Sequence, residues 1–229
     1  MGFVQMRKAI SGVVVAMVLA SVAACGGSKQ GTADPSPVVL TTAAPSPQPL
    51  TAARAAAALA TGGLASRDMP GMQPLGAPIT SLNSPTLAGL CGTTASGLTS
   101  EKLRMARRQL VWSAGPSEFV SEERVVYQQG GVQAALKDLQ RASTSCPDRI
   151  GVQIAPATAK LPAGSMAISS KGSGQSMDSY AVPVGNRLLV MLWSNWTRSA
   201  EPAVIRTALA KARPVVVQRE QPTLQALAR

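Results

Sequence analysis

The chemistry open to this chain is limited first by a side chain it lacks. No histidine occurs among its 229 residues, which removes Ser-His-Asp and Cys-His nucleophile systems and the histidine-based zinc sites of hydrolases. Gly-x-Ser-x-Gly, Ser-x-x-Lys and the phosphate loop Gly-x-x-x-x-Gly-Lys-Ser/Thr are also missing, and Gly172-Ser173-Gly174 reads as a flexible loop. Carboxylates remain. Glu118, Glu122 and Glu123 share one strand-like run, and two carboxylates facing a cleft can hydrolyse a glycoside. Glu122 and Glu123 are neighbours in sequence, however, so a strand turns them to opposite faces, and the run reads as a solvated edge strand. The other candidates are for binding. Trp193, Trp196 and Arg198 stand at the end of an apolar run, where an aromatic ring and a cation can line a sugar or anion site. Trp193 is expected in the core, and Trp196 either walls a cleft or plugs the space under the last helix. The expected ligand cleft is Trp196, Arg198 and Glu122, with no catalytic residue, metal ligand or cofactor.

The three cysteines read in another way. Arg7 and Lys8 precede an apolar run from Ala9 to Val22, and Val22-Ala23-Ala24-Cys25 closes it. This is the layout of a signal peptide, and the four-residue ending in Cys is what a bacterial lipoprotein peptidase reads. An ordinary secretory leader cut near Ala24 is the plainer alternative. A spanning helix is disfavoured, because the run falls short of the ~20 apolar residues needed. Lipidation of Cys25 would hold the chain on a membrane at ~0.8 kcal/mol per buried CH2. Cys91 and Cys146 then remain as a pair in an oxidising compartment, expected as a disulfide; closing about 55 residues stabilises by roughly 4 kcal/mol in the chain-entropy model. Two buried free thiols are the alternative.

The elements that must carry these residues follow from composition and pattern. Residues 1–24 read as signal peptide. Residues 25–49 read as the lipidated Cys25 followed by a Pro/Ala/Ser-rich tether that reaches by extended polyproline structure. Residues 50–229 read as a single domain. Aromatics are 3% of the chain and its formal charge is +11. The basic residues are scattered, which argues against nucleic acid, where Lys/Arg cluster with aromatics; it fits general attraction to anionic surfaces.

Thr51 caps a short Ala-rich helix over 52–60, ended by Gly62-Gly63. A Pro-rich loop over 68–90 follows, pinned to the domain by Leu75, Ile79, Leu82 and Leu87. Strands over 107–112 and 118–128 flank the turn 114–117. Val132, Ala135, Leu136, Leu139 and Ala142 recur at helical spacing over 131–143. Short strands fall at 150–154 and 166–169. Runs 176–184 and 187–195 flank Gly185-Asn186, a hairpin signal. Leu188 to Trp193 is apolar at both alternating phases, as in a central strand. Ile205, Ala208, Leu209 and Ala212 stripe a last helix that Pro214 ends, and the tail to Arg229 is either a frayed extension or a short docked segment.

Val132-x-x-Ala135-Leu136-x-x-Leu139 before Cys146, with Val182 to Trp193 after it, resembles the exported sensor-type domains of actinobacteria found on small lipoproteins and outside the membrane on PknH-like kinases. The resemblance covers roughly Leu50 to Arg213. It implies an antiparallel sheet with helices on it, a cleft, disulfides, and ligand binding without catalysis. This chain departs from the kinase version by lacking a second cysteine pair and a kinase segment, and a lipid anchor carries no signal inward without a partner. The expected fold is thus α+β, three to five antiparallel strands packed on two main helices with one disulfide, lipid-anchored on the extracellular face of the cell membrane. The expected function is noncatalytic binding or sensing of a cell-envelope ligand or membrane protein. The alternatives are a carboxylate-dependent wall hydrolase and an assembly partner of another exported protein.

Overall fold

A computed structural model describes residues 49–83, 97–144, 153–156, 161–172, 175–197 and 200–229. Cys25, Cys91, Cys146, Leu87 and Arg198 lie outside the described residues. The expected Cys91–Cys146 bridge therefore finds no support. Ser46–Arg229 forms one compact unit, and none of its described helices is long and apolar enough to cross a membrane.

The fold is one antiparallel sheet covered by helices on both faces. Its strands are β1 (Gln73–Pro74), β2 (Arg104–Gly115), β3 (Glu118–Tyr127), β4 (Gln153–Pro156), β5 (Met166–Gly172), β6 (Gln175–Val184) and β7 (Leu188–Trp196), in the order β1-β2-β3-β7-β6-β5-β4. The helices are α1 (Ala52–Leu59), α2 (Gly131–Thr144), α3 (Ala203–Ala212), α4 (Val216–Arg219) and α5 (Gln221–Ala228). Among the described residues, seven strands and five α-helices correct the expected three to five strands on two main helices. The surplus comes from pieces with little pattern of their own: two-residue β1, β4 ending on a proline, and the tail segments α4 and α5.

The two hairpins form where the turn chemistry places them. Pro116-Ser117 links β2 to β3, and Gly185, at φ +71°, opens the turn into β7. Pairing β7 with both β3 and β6 puts it in mid-sheet, so its side chains are buried at both phases from Leu188 to Leu192. β3 lies between β2 and β7, so the run carrying Glu122 and Glu123 is an interior strand, not a solvated edge.

Period-2 alternation sorts the two cores. Val120, Val126, Val182, Val190, Leu192 and Trp196 face the layer of α1, α3 and α4, meeting Leu59, Ile205, Leu209 and Val216. Val125, Tyr127, Ala181, Leu189 and Met191 face α2 through Val132, Ala135 and Leu139. Thr51 caps α1 as its sequence requires, its Oγ1 accepting the Arg54 N–H at 3.2 Å. Gly63 has φ +99°, and a Cβ there would lie 2.8 Å from Glu122 Oε2; one on Gly62 would lie 2.3 Å from Thr223 Oγ1. The diglycine both turns the chain and lets it pass between β3 and α5.

The loop after α1 is held differently from expectation. Leu75, Ile79 and Leu82 are 56%, 45% and 40% exposed, while Met69 and Met72 are buried. The backbone holds the loop: Leu75 N–H donates to Val111 O at 2.7 Å, and Ile79 and Gln109 exchange bonds of 2.9 and 2.8 Å. A segment laid along the β2 edge by its peptide groups does not need its side chains buried.

Candidate functional site

α2 covers only one end of its sheet face. At the other end, β2, β3, β6 and β7 carry Arg107, Gln109, Ser121, Glu123, Met177, Trp193 and Asn195 around an open cleft of about 360 Å3, with Phe119 and Val111 at its side. The concavity has a simple origin in the register. Trp193 stands opposite Ser121 on β3, so one large ring has a small side chain beside it within the cleft, and directly opposite residues on one face lie ~5 Å apart.

The polar side of the cleft is fixed before any ligand arrives. Arg107 donates through Nε to Glu123 Oε1, through Nη2 to Gln109 Oε1 at 2.6 Å and through Nη1 to the Ser81 carbonyl at 3.2 Å. Gln109 Nε2 then donates to Ser121 Oγ at 3.4 Å. Arg107 and Glu123 are both buried, so charge is matched at the floor and a planar array of donors and acceptors is held still. Such an array orients a ligand and leaves no strong excess of either sign. Among the described residues, no group of three or more Asp, Glu, His or Cys could hold a metal ion.

The residues expected to form the cleft lie elsewhere. Glu122 has no exposure; its carboxyl oxygens accept the Leu64 N–H at 3.0 and 3.1 Å beneath α1. Trp196 is 4% exposed and packs into the α1 and α3 core. Arg198 lies outside the described residues. Alternation explains the difference, because 188, 190, 192, 194 and 196 share the helix-layer face and 189, 191, 193 and 195 share the cleft face. Burial pushes the Glu122 carboxyl up to about 8, Arg124 pulls it down, and Glu220 pushes it up again.

A solved structure similar to this chain is the crystal structure of the extracellular domain of PknH from Mycobacterium tuberculosis. It is 16% identical, with the likeness covering 76% of this chain and 98% of that one at a TM-score of 0.46. No protein-family model matches the chain, and no curated protein matches it. At that identity and score the likeness transfers neither a residue nor a function, so the site stands on its own geometry.

Sequence reasoning passed over Arg107, Gln109 and Ser121, and weighed Glu123 only as one of the carboxylates of a solvated edge strand. The signal that could have found them was present: once 107–112 and 118–128 form a hairpin, their pairing sets Gln109 opposite Glu123 and Val111 opposite Ser121. That places a polar cluster on one phase of two adjoining strands, opposite the phase that carries Ala106, Trp112, Val120 and Val126.

Proposed function

We propose that this chain is an exported binding protein, anchored by lipid at Cys25, that holds a cell-envelope ligand in the sheet-face cleft without transforming it. The observation that carries the reading is the preformed array of Arg107, Gln109, Ser121 and Glu123 beside the half-buried Trp193. Its groups are held in place by one another, as a site that orients a ligand requires. The hydrolase alternative needs two carboxylates across the cleft. Among the described residues lining it, Glu123 is the one carboxylate and Arg107 engages it, while Glu122 lies beyond the sheet. The assembly-partner reading has one observation in its favour, the exposed Leu75, Ile79 and Leu82 on a single loop.

Trp193 supplies the test, because Trp112 and Trp196 are buried and Trp193 is not. Titrating the full chain with envelope polysaccharide, lipid and peptide fractions should shift tryptophan emission for at least one class, and Trp193→Phe should abolish the shift. If no class changes the emission of the folded wild type, the binding reading fails. Anchoring is tested separately: a labelled fatty acid should enter the wild type and not Cys25→Ala, and equal labelling of the two would overturn the lipid anchor.

A further inference from the structure

The geometry points to a neutral saccharide as the class of ligand for the cleft, an inference that rests on the binding reading above and narrows it. Four features of the cleft select among chemistries. The first is charge. Arg107 is the one cation among its described lining residues, and Glu123 matches it through a direct ion pair at the floor. An anionic ligand would have to compete with a carboxylate already in place, and a cationic one with the guanidinium.

The second feature is polarity. Gln109, Ser121 and Asn195 line the cleft alongside Glu123. An acyl chain laid over them would remove them from water without replacing the lost hydrogen bonds, which is costly for each such group. Asn195 matters most here: among the described residues its carboxamide has no hydrogen-bond partner, so both its donor and its acceptor are open to a ligand.

The third feature is the backbone. The cleft lies on a sheet face, where β3 is paired with β2 and β7, and β7 with β3 and β6. Their peptide groups are spent in the ladders, so an extended peptide finds no strand edge to extend. Recognition must come from side chains alone. The fourth is Trp193, half-buried in the cleft with the small Ser121 side chain opposite it, which leaves room on that side of the indole. A pyranose has one face of C–H groups and a rim of hydroxyls that both donate and accept. The apolar face suits contact with an aromatic ring, and the rim suits amide, hydroxyl and carboxylate groups fixed around it.

The test uses the full chain and neutral hexose and N-acetylhexosamine oligomers, with uronate-bearing oligosaccharides, an acyl-chain detergent and an extended peptide as competitors. Neutral oligomers should bind and shift Trp193 emission, with affinity little changed by added salt because no net charge is used. Trp193→Ala should weaken binding by about tenfold or more, equivalent to ~1.4 kcal/mol, while Trp193→Phe retains most of it. Asn195→Ala tests the hydroxyl contacts without removing an internal bond. Binding of only an acidic oligosaccharide, a lipid or the peptide, with a shift at Trp193, would sink the saccharide assignment and leave the cleft as a binding site. Emission unmoved by every probe would remove both readings. Neutral oligomers that bind the folded Trp193→Ala and Asn195→Ala variants as tightly as the wild type would place the sugar site elsewhere and overturn the inference.

Discussion

Replacing Arg124 with methionine should cost the domain about 3–5 kcal/mol, the usual penalty for breaking a buried ion pair from one side. For a domain of this size that lowers Tm by roughly 6–20 °C. Arg124 is wholly buried in β3, and its guanidinium ties three distant pieces of chain together. Nη1 donates to the carbonyls of Leu59 and Gly62 at 2.8 and 2.7 Å, where α1 ends. Nη2 donates to Glu220 Oε2 at 2.8 Å and Thr223 Oγ1 at 2.6 Å, and Nε lies 2.7 Å from Glu220 Oε1. Removing it strands a buried carboxylate and two carbonyls that have no water to turn to. The double variant Arg124→Met with Glu220→Leu should recover part of the loss, since the orphaned charge goes too. Urea unfolding of the three proteins measures this; a single Arg124→Met variant within about 1 kcal/mol of wild type, the range of an exposed ion pair, would show that the network does not hold the helices to the sheet.

This network marks where the sequence stopped being legible. Hairpins, α2 and the stripe of α3 all follow from patterns a few residues long, and they lie where turn residues and periodicity place them. Ile205, Ala208, Leu209 and Ala212 are all buried, as their spacing requires. Arg124 belongs to the run Ser-Glu-Glu-Arg, whose local signal is a wet strand. Its partners come from residues 59–62 and 220–223, too far along the chain for any window to connect. The tail was ambiguous for the same reason: Glu220 and Thr223 are polar by type and fully buried by partnership. Trp193 and Trp196 differ only in phase, and phase is set by which face the helix layer covers, a fact of the whole sheet. The open end of the α2 face likewise depends on where α2 stops relative to strands formed later in the chain, β6 and β7, so a cleft was foreseeable and its lining was not.

The second large effect is a dependence of stability on pH between about 4.5 and 8. Arg124 is matched by Glu220, so Glu122, buried beside them, is one carboxylate more than the cluster has positive charge for. Burial raises its pKa from 4.5 to about 8, opposed by Arg124 and helped by Glu220 and Asp68. The folded state therefore holds a proton that the unfolded chain releases near its ordinary value. The stabilisation is complete below pH 4.5, declines as pH rises from 4.5 towards 8, and is gone above that. Each tenfold difference in proton affinity between the folded and unfolded chain is worth ~1.4 kcal/mol, so the total is on the order of a few kcal/mol. No histidine exists to titrate in the same window, so the difference in slope between the wild type and a Glu122 variant isolates this group's share. Glu122→Gln keeps an acceptor for the Leu64 N–H and has no proton to lose, so its urea midpoint should fall less steeply than that of the wild type between about pH 5 and 8. Parallel slopes for the two proteins would mean that Glu122 is ionised in the fold, and that the cluster beneath α1 carries a net negative charge that Arg124 and its surroundings tolerate.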